Sequence, residues 1–292
     1  MISEKPRYLS FIDIADKVSR RLPNYSSKFS KRTFTQRQLM TLYILKQKSK
    51  LSYEEFVDDF STRDSAISDL QLKKVPAAST LKMFVRRVDT KIFEEMIADC
   101  IQLTRKINLE TAVDATGFQL EDGSYSYLKR LGLATKKRKN MKLGGCVETN
   151  KHLFLSVKIR KKNRHDNIDY KPLMKKAKKN TKKMIVVSVG DKAYDSEDNH
   201  EFAEKNGFEH IAPLRSKTKQ YHRIKGRHRK KLFRKFPKKR YHRRSIIENM
   251  FFCVKRLCGK AVRAKKWMMQ KKEMLAKVLA YNIHRLVQLT RI

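Results

Sequence analysis

The residues from Tyr241 to Lys255 constrain the fold of this chain most strongly, because they combine a polar stripe with an apolar face. At about 100° per residue on a helix, four of the polar side chains fall within a stripe about 60° wide. These four are Tyr241, Arg244, Glu248 and Lys255. The apolar side chains fall on the opposite side: Ile246, Ile247, Met250, Phe251 and Val254. The stretch therefore predicts an amphipathic helix that buries its apolar face and presents one carboxylate among cations.

The polar stripe has two interpretations. In the first, Glu248 pairs with Arg244 at the i, i+4 spacing, which would stabilise the helix by about 0.2–0.5 kcal/mol. In the second, the pattern Tyr-x2-Arg-x3-Glu-x6-Lys is functional, since it resembles the C-terminal signature of DDE transposases encoded by bacterial and archaeal insertion sequences. The resemblance implies that Glu248 is the third metal-binding carboxylate. It also implies that Tyr241, Arg244 and Lys255 lie along bound DNA.

A first aspartate of this kind lies in the predicted strand from Thr111 to Phe118. Because side chains alternate along a strand, Asp114 shares a face with Ala112 and Thr116. A carboxylate among small apolar residues is costly to bury alone, so Asp114 is either a capped structural group or a metal ligand. Val-Asp114-Ala-Thr resembles the first-aspartate strand of the same transposases, which favours the ligand.

A second aspartate, Asp191, follows the apolar strand from Met184 to Gly190, at the strand end where open α/β sheets place ligands. Asp191-Lys-Ala-Tyr-Asp195 resembles the second-aspartate motif of the family, with Ala193 in place of a common glycine. We expect Asp195 to be the N-cap of the helix that follows.

The order of predicted elements from residue 109 onward gives a fold class. Two further strands, 141–149 and 153–160, are joined by a short turn at Asn150 and Lys151 and complete an antiparallel set of three. A helix, a strand, a helix, a strand and a last helix follow. This order resembles the α/β, ribonuclease H-like (retroviral-integrase-like) catalytic core. The resemblance implies that Asp114, Asp191 and Glu248 meet in space.

The chain divides into three predicted parts. Residues 1–34 form a basic, loosely ordered N-terminal arm with at most one short helix and no identifiable chemistry. Residues 35–107 form a helical domain, with capping boxes at 35–38 and 52–55 that mark two helix starts. This domain is either a helix-turn-helix that binds DNA or a bundle that packs on the catalytic domain or dimerises. Residues 108–292 form the catalytic domain, including a basic loop at 215–240.

The charge of the chain indicates its partner. The 292 residues contain 70 Lys and Arg against 29 Asp and Glu, which gives a formal charge of +41. Such a charge indicates a polyanionic binding partner. No apolar run approaches the length of a membrane span, so we expect nucleic acid and no membrane. Residues 215–244 alone contain sixteen Lys and Arg, no acid and interleaved aromatics. This segment is either a DNA-backbone clamp or a solvated, mobile loop.

Two further features bear on location and metal content. Residues 1–6 lack the apolar core of a signal peptide, so we expect a cytoplasmic, nucleoid-associated protein. The four cysteines have no Cys-x2-Cys spacing, which makes reduced thiols a better expectation than a zinc site.

The predicted chemistry is phosphodiester cleavage with two metal ions about 3.5–4 Å apart. Three carboxylates supply hard oxygen ligands that favour Mg²⁺, with Mn²⁺ as a substitute. The resemblance implies a transposase that cuts the ends of an insertion sequence and joins the 3′-hydroxyls to target DNA. Its partners would be double-stranded element ends and target DNA, bound by a homodimer or a higher synaptic oligomer. The alternatives are a metal-dependent nuclease that never joins ends and a non-catalytic, domesticated DNA-binding protein.

Overall fold

The computed structural model of the chain describes residues 5–104, 108–120, 130, 140–161, 164–182, 184–215 and 220–290. The chain forms two compact units. The first consists of Met1–Cys100, Leu120–Lys136 and Val254–Ile292, and the second of Ile101–Gln119 and Lys137–Cys253.

The helices and strands are as follows, in chain order. The helices are α1 Arg7–Val18, α2 Gln36–Ser49, α3 Tyr53–Ser61, α4 Asp64–Asp69, α5 Ala78–Arg87, α6 Thr90–Gln102, α7 Asn167–Thr181, α8 Glu197–Lys205, α9 Arg227–Arg234, α10 Lys238–Tyr241, α11 Ser245–Cys258 and α12 Trp267–Leu289. The strands are β1 Leu109–Leu120, β2 Asn140–Glu148, β3 Leu153–Arg160, β4 Ile185–Gly190, β5 Glu209–Ile211 and β6 Ala261–Val262. Short 3₁₀ turns lie at Ser19–Arg21, Lys192–Tyr194, Tyr221–Arg223 and His242–Arg244.

The first unit is helical, and its helix starts follow the predicted local signals. Both capping boxes are present, at Thr35 before α2 and at Ser52 before α3. Each satisfies backbone N–H groups that the first helical turn leaves without partners. Helix α2 is buried from Leu39 to Gln47 and packs against α1 and α12.

The N-terminal segment is more ordered than the sequence predicts. Helix α1 is 12 residues long and buries Phe11, Ile12, Ala15 and Val18, through which it packs on α2 and α12. This is a tertiary effect, because the apolar stripe of α1 is too short to stabilise an isolated helix.

The second unit is built on a mixed sheet. Its strand order is β3-β2-β1-β4-β5; β1, β2 and β3 are antiparallel neighbours, while β4 runs parallel to β1 and β5 parallel to β4. Helix α7 packs on β2 and β3, and α8 packs on β5. The predicted order of strands and helices is thus present, with each strand boundary within two residues of its prediction.

Helix α11 carries the predicted apolar face, although the predicted single helix from Tyr241 is interrupted by the 3₁₀ turn at His242–Arg244. Ile247, Met250, Phe251 and Val254 are buried and Ile246 is half-buried. The ring of Phe251 lies 5.7 Å from that of Phe154 on the sheet.

A glycine on β2 permits this close packing. Gly145 is paired with Asp114 across β1 and β2. A Cβ atom at Gly145 would lie 3.0 Å from the Phe154 ring and 3.3 Å from that of Phe251. A larger residue would therefore push α11 away from the strand that carries Asp114.

The basic segment is also more ordered than the predicted loop. Residues 216–219 lie outside the described part of the chain, but residues 220–240 contain a 3₁₀ turn, α9 and most of α10. Within the described residues, no helix is long and apolar enough to cross a membrane.

Candidate active site

The first two aspartates lie next to each other at the carboxyl end of β4. Strands β1 and β4 are parallel and pair Val113 with Gly190, so Asp114 on β1 lies beside Asp191, the residue that follows β4. Neighbouring strands lie about 4.8 Å apart. The fold thus brings together two carboxylates that are far apart in the sequence.

Asp114 is largely buried, and its two oxygens have different neighbours. Oδ1 accepts a hydrogen bond of 2.7 Å from the Ala115 N–H, and Oδ2 lies 3.4 Å from Nη1 of Arg244. Burial raises the pKa of Asp114 to about 6, and the charges of Asp191 and Glu248 add to the rise. The Ala115 N–H and the Arg244 guanidinium oppose it. Asp114 therefore lies within electrostatic reach of both other carboxylates.

Arg244 connects the third carboxylate to the first. Its Nη2 lies 2.7 Å from Oε1 of Glu248, while Nη1 faces Asp114. Burial alone would lower the pKa of Arg244, but the hydrogen bond and charge of Glu248 outweigh it and raise that pKa. The i, i+4 ion pair of the first interpretation is therefore present, and it lies against the first aspartate.

Asp191 begins the turn after β4. Its Oδ1 accepts a hydrogen bond of 2.8 Å from the Ala193 N–H and caps the 3₁₀ turn Lys192–Tyr194. Ala193 does not have a positive φ, so this turn does not need the glycine common in the family. The buried Tyr194 ring lies over Gly190, where a Cβ atom would be only 3.1 Å away.

The three carboxylates supply suitable ligands for Mg²⁺ but are directed elsewhere in this structure. Among the described residues, no group of three or more His, Cys, Asp and Glu side chains is arranged to hold a metal ion. The reason is visible: Asp114 and Glu248 are turned toward Arg244, and Asp191 toward a backbone N–H. Carboxylate oxygens at this strand edge are the ligand type that Mg²⁺ prefers. Arg244 contacts one oxygen of Asp114 and one of Glu248.

The other predicted residues lie along the same helical run. Tyr241 is half-buried and its ring lies 5.2 Å from that of Phe236, edge to face. Lys255 is half-buried two turns beyond Glu248, and burial lowers its pKa. The sequence analysis did not single out Phe252, which is 62% exposed. It lies four residues after Glu248 on α11, about 40° around the helix, and so at the edge of the polar stripe.

A comparison with known protein families identifies the family of the chain. The family model described as transposase DDE domain matches residues 108–283, about three fifths of the chain. The chain belongs to this family. It is a DNA transposase, as the Tyr241–Lys255 signature predicts. DDE transposases in general depend on divalent metal ions.

A solved structure shows the same fold. The cryo-EM structure of a piggyBac transposase synaptic complex with hairpin DNA matches with a TM-score of 0.51 and 9% sequence identity. The match covers 98% of this chain and 75% of that one. At this identity the likeness concerns the fold alone, and it confirms the predicted α/β, ribonuclease H-like class. No curated protein sequence matches the chain.

The sequence assigned Asp195 of the transposase the wrong role. The N-cap of α8 is Ser196, whose side chain accepts a hydrogen bond from the Asn199 N–H. The Asp195 carboxylate is instead bound by the basic segment, through the Arg215 N–H at 2.7 Å and Arg229 Nε and Nη2 at 2.9 and 2.8 Å. Arg229 lies 34 positions away in sequence, so no local pattern indicates this pair.

The polar neighbours of Asp195 stabilise its charged form. Its side chain is fully buried, and His200 Nε2 lies 3.9 Å from Oδ1. Burial alone would raise the pKa of the Asp195 carboxyl, but its neighbours, led by His200 and Arg229, hold that pKa below its ordinary value.

A second carboxylate, that of Glu197, also binds the basic segment. Glu197 accepts hydrogen bonds from the backbone N–H groups of His228 and Arg229, at 2.8 and 3.2 Å, and so caps the start of α9. Gly226 precedes α9 with φ +97°, and a side chain there would collide with Glu197. Asp195 and Glu197 thus hold the basic helix α9 against the turn that follows Asp191.

A small cleft lies beside this turn. It has a volume of about 360 Å³ and is lined by Lys142, Arg164, His165, Asp166 and Ala193. Because Ala193 also donates to Asp191, the cleft opens directly beside the second carboxylate. Lys142 is paired with Asp166 at 2.5 Å, so Arg164 is the lining cation that is suited to a phosphate of the substrate.

Proposed function

We propose that this transposase cuts DNA at the ends of an insertion sequence and joins the freed 3′-hydroxyls to target DNA. Its metal-binding carboxylates would be Asp114, Asp191 and Glu248. The observation that carries this proposal is the β1–β4 register, which sets Asp114 beside Asp191, together with Arg244, which links Asp114 to Glu248.

Mg²⁺, with Mn²⁺ as a substitute, fits this oxygen donor set, and two ions would be held. When bound, the ions activate a water or a 3′-hydroxyl and stabilise charge on the leaving oxygen. Arg244 would lose its carboxylate partners at that point. Its planar guanidinium is then free to bind a phosphate of the DNA through two parallel hydrogen bonds.

DNA contact would extend along the polar stripe and the basic segment. Tyr241 and Lys255 would position phosphates at the two ends of the stripe, and residues 220–240 would clamp the backbone of double-stranded element ends and target DNA. Residues 35–107 would add a DNA-binding domain to the catalytic domain 108–292. A homodimer or a larger synaptic assembly would bring two ends together, on the nucleoid.

The test is a cleavage assay on end-bearing DNA with Mg²⁺, Mn²⁺ or Ca²⁺. We expect Asp114→Asn, Asp191→Asn and Glu248→Gln each to reduce cleavage by more than about 100-fold. This loss is larger than the typical loss for residues that only hydrogen-bond to a metal ligand. DNA binding in Ca²⁺ should persist or strengthen, because negative charge beside phosphate has been removed. The matched control is Asp198→Asn, an exposed carboxylate of the same unit paired with Lys171, which should cleave normally.

Two results would contradict the proposal. Near-normal Mg²⁺-dependent cleavage by Glu248→Gln would exclude the third carboxylate from the site. Wild-type protein that cleaves but never joins precleaved 3′ ends to a target would be a nuclease instead of a transposing enzyme.

A further inference from the structure

The first unit contains an open groove of about 650 Å³. One wall is the segment 25–36, which includes the end of the predicted N-terminal arm, and the other is α5. Buried Leu39 and Phe84 line its base. Its volume is within the range of sites for small ligands, about 300–1,000 Å³.

The groove carries positive charge that no described carboxylate neutralises. Four exposed cations line it, and no carboxylate does: Lys31, Arg32, Lys74 and Arg87. None of these four forms an ion pair within the part of the chain that the structure describes.

Several cations elsewhere in the same unit are paired. Arg21 binds Asp99 and Glu95, Arg37 binds Asp16, Arg63 binds Asp59 and Lys82 binds Glu54. These carboxylates are thus used away from the groove. Its charge is complementary to an anion supplied from outside.

The groove also presents aromatic rings to solvent. Phe29 is 84% exposed, and Tyr25 is half-buried. Lys28 Nζ lies 5.1 Å from the centre of the Phe29 ring, and the Arg32 guanidinium lies 5.9 Å from that of Tyr25. A phenylalanine this exposed contributes little to folding. Exposed ring faces beside cations are what proteins use to stack unpaired bases while holding the phosphates.

The hydroxyl groups of the lining complete this chemistry. Ser26, Ser27, Ser30, Ser79 and Thr80 line the groove with donors that suit phosphate and sugar oxygens. An acidic peptide would satisfy the cations but leave the rings without a stacking partner. A base-paired duplex satisfies the cations only, because its bases are already stacked inside the helix.

We propose that this groove binds an unpaired nucleotide of a DNA strand. Phe29 and Tyr25 stack on the base, and Arg32 and Arg87 bind the flanking phosphates. The site lies in the first unit and uses none of the three carboxylates. It therefore does not depend on the proposed catalytic assignment.

The experiment measures binding of the full chain in EDTA, so that no catalysis occurs. Two probes of the same sequence are compared: a blunt duplex, and a duplex with a short single-stranded tail that carries a fluorescent purine analogue. We expect the tailed probe to bind roughly tenfold more tightly than the blunt one, with quenching of the analogue as it stacks. Phe29→Ala should abolish the preference and the quenching, while blunt-duplex binding stays unchanged. Phe29→Trp should keep both.

Two neighbouring arginines on α5, one inside the groove and one outside it, provide a variant and its matched control. Arg87→Ala, which lines the groove, should weaken tailed-probe binding more than Arg86→Ala, which is exposed on the same helix but outside the groove. Glu248→Gln should retain the preference for the tailed probe. A failure of the proposed catalytic site can therefore be distinguished from a failure of the proposed nucleotide groove. The proposal is overturned if Phe29→Ala keeps the tail preference or if wild type binds both probes alike. It is also overturned if polyglutamate of matched charge displaces the tail as effectively as a single strand does.

Discussion

At the scale of single residues, the decisive observation is one guanidinium shared by two carboxylates. Asp114 and Glu248 repel each other, and burial further disfavours the charge on Asp114. Arg244 offsets both effects by contacting one oxygen of each. If the same two carboxylates hold a metal ion, as proposed above, we expect Arg244 and the ion to compete for them.

Arg244→Gln should therefore increase the affinity of the DNA-free protein for a divalent ion. A charge-assisted hydrogen bond contributes about 1.5–3 kcal/mol, so we expect roughly a tenfold or larger decrease in the Kd for Ca²⁺. Calorimetric titration measures it. The matched control is Arg243→Gln, because Arg243 is the preceding residue but binds Glu110 and Asn150. If both variants bind Ca²⁺ as the wild type does, Arg244 is not a competitor.

At the scale of elements, helix α9 depends on the carboxylates that hold it. Its sequence, Arg-His-Arg-Lys-Lys-Leu-Phe-Arg, places cations at the positive end of the helix dipole and in i, i+4 pairs of like charge. Glu197 caps its first N–H groups, and Asp195 neutralises Arg229. These contacts make an ordered helix from a segment that by itself would remain a solvated coil.

Asp195→Asn should lower the free energy of unfolding by about 2–4 kcal/mol at pH 7, because Arg229 would lose its partner in a largely buried site. The Asp195 carboxyl has a lowered pKa in the folded state, so its stabilisation is fully present above the unfolded pKa and is lost as the pH falls through the folded one. The difference from wild type should be constant down to about pH 5 and shrink below about pH 4.

Urea unfolding of both proteins across this pH range is the measurement. Asp198→Asn removes an exposed ion pair with Lys171 and should cost less than about 1 kcal/mol at any pH. A difference for Asp195→Asn that does not shrink in acid would mean that the lost interaction is not the charged one.

At the scale of the whole molecule, the net charge of +41 sets how binding responds to salt. Each phosphate neutralised releases counterions, so a chain that makes several such contacts binds with a steep salt dependence. We expect the affinity for a blunt duplex to fall by roughly 10³-fold or more between about 50 and about 200 mM salt.

Single cations should contribute unequally to that slope. Lys239→Ala, an exposed lysine of the basic segment, should reduce the slope of log affinity against log salt by about 1. Lys82→Ala should leave it unchanged, since Lys82 is already paired with Glu54. A flat salt response of the wild type would exclude the charge-based account of DNA binding.

The sequence by itself determined the features that depend on local periodicity. The apolar face of α11, the capping boxes at Thr35 and Ser52 and the strand that carries Asp114 follow from side-chain directions within a few residues of each other. The motif around Asp191 was equally readable, because a carboxylate after a buried strand is a local signal. These features were sufficient to predict the fold class, and they are also the basis on which the three carboxylates are proposed as one site.

The tertiary structure alone decided which distant groups meet. Arg244 contacts Asp114 across 130 positions, and Asp195 binds Arg229 instead of capping its own helix. Helix α1 is ordered because α2 and α12 cover its apolar stripe, and the groove beside Phe29 exists because α5 lies opposite the segment 25–36. No local pattern specifies such contacts, since their free energy comes from burial and charge pairing between elements that only the completed fold brings together.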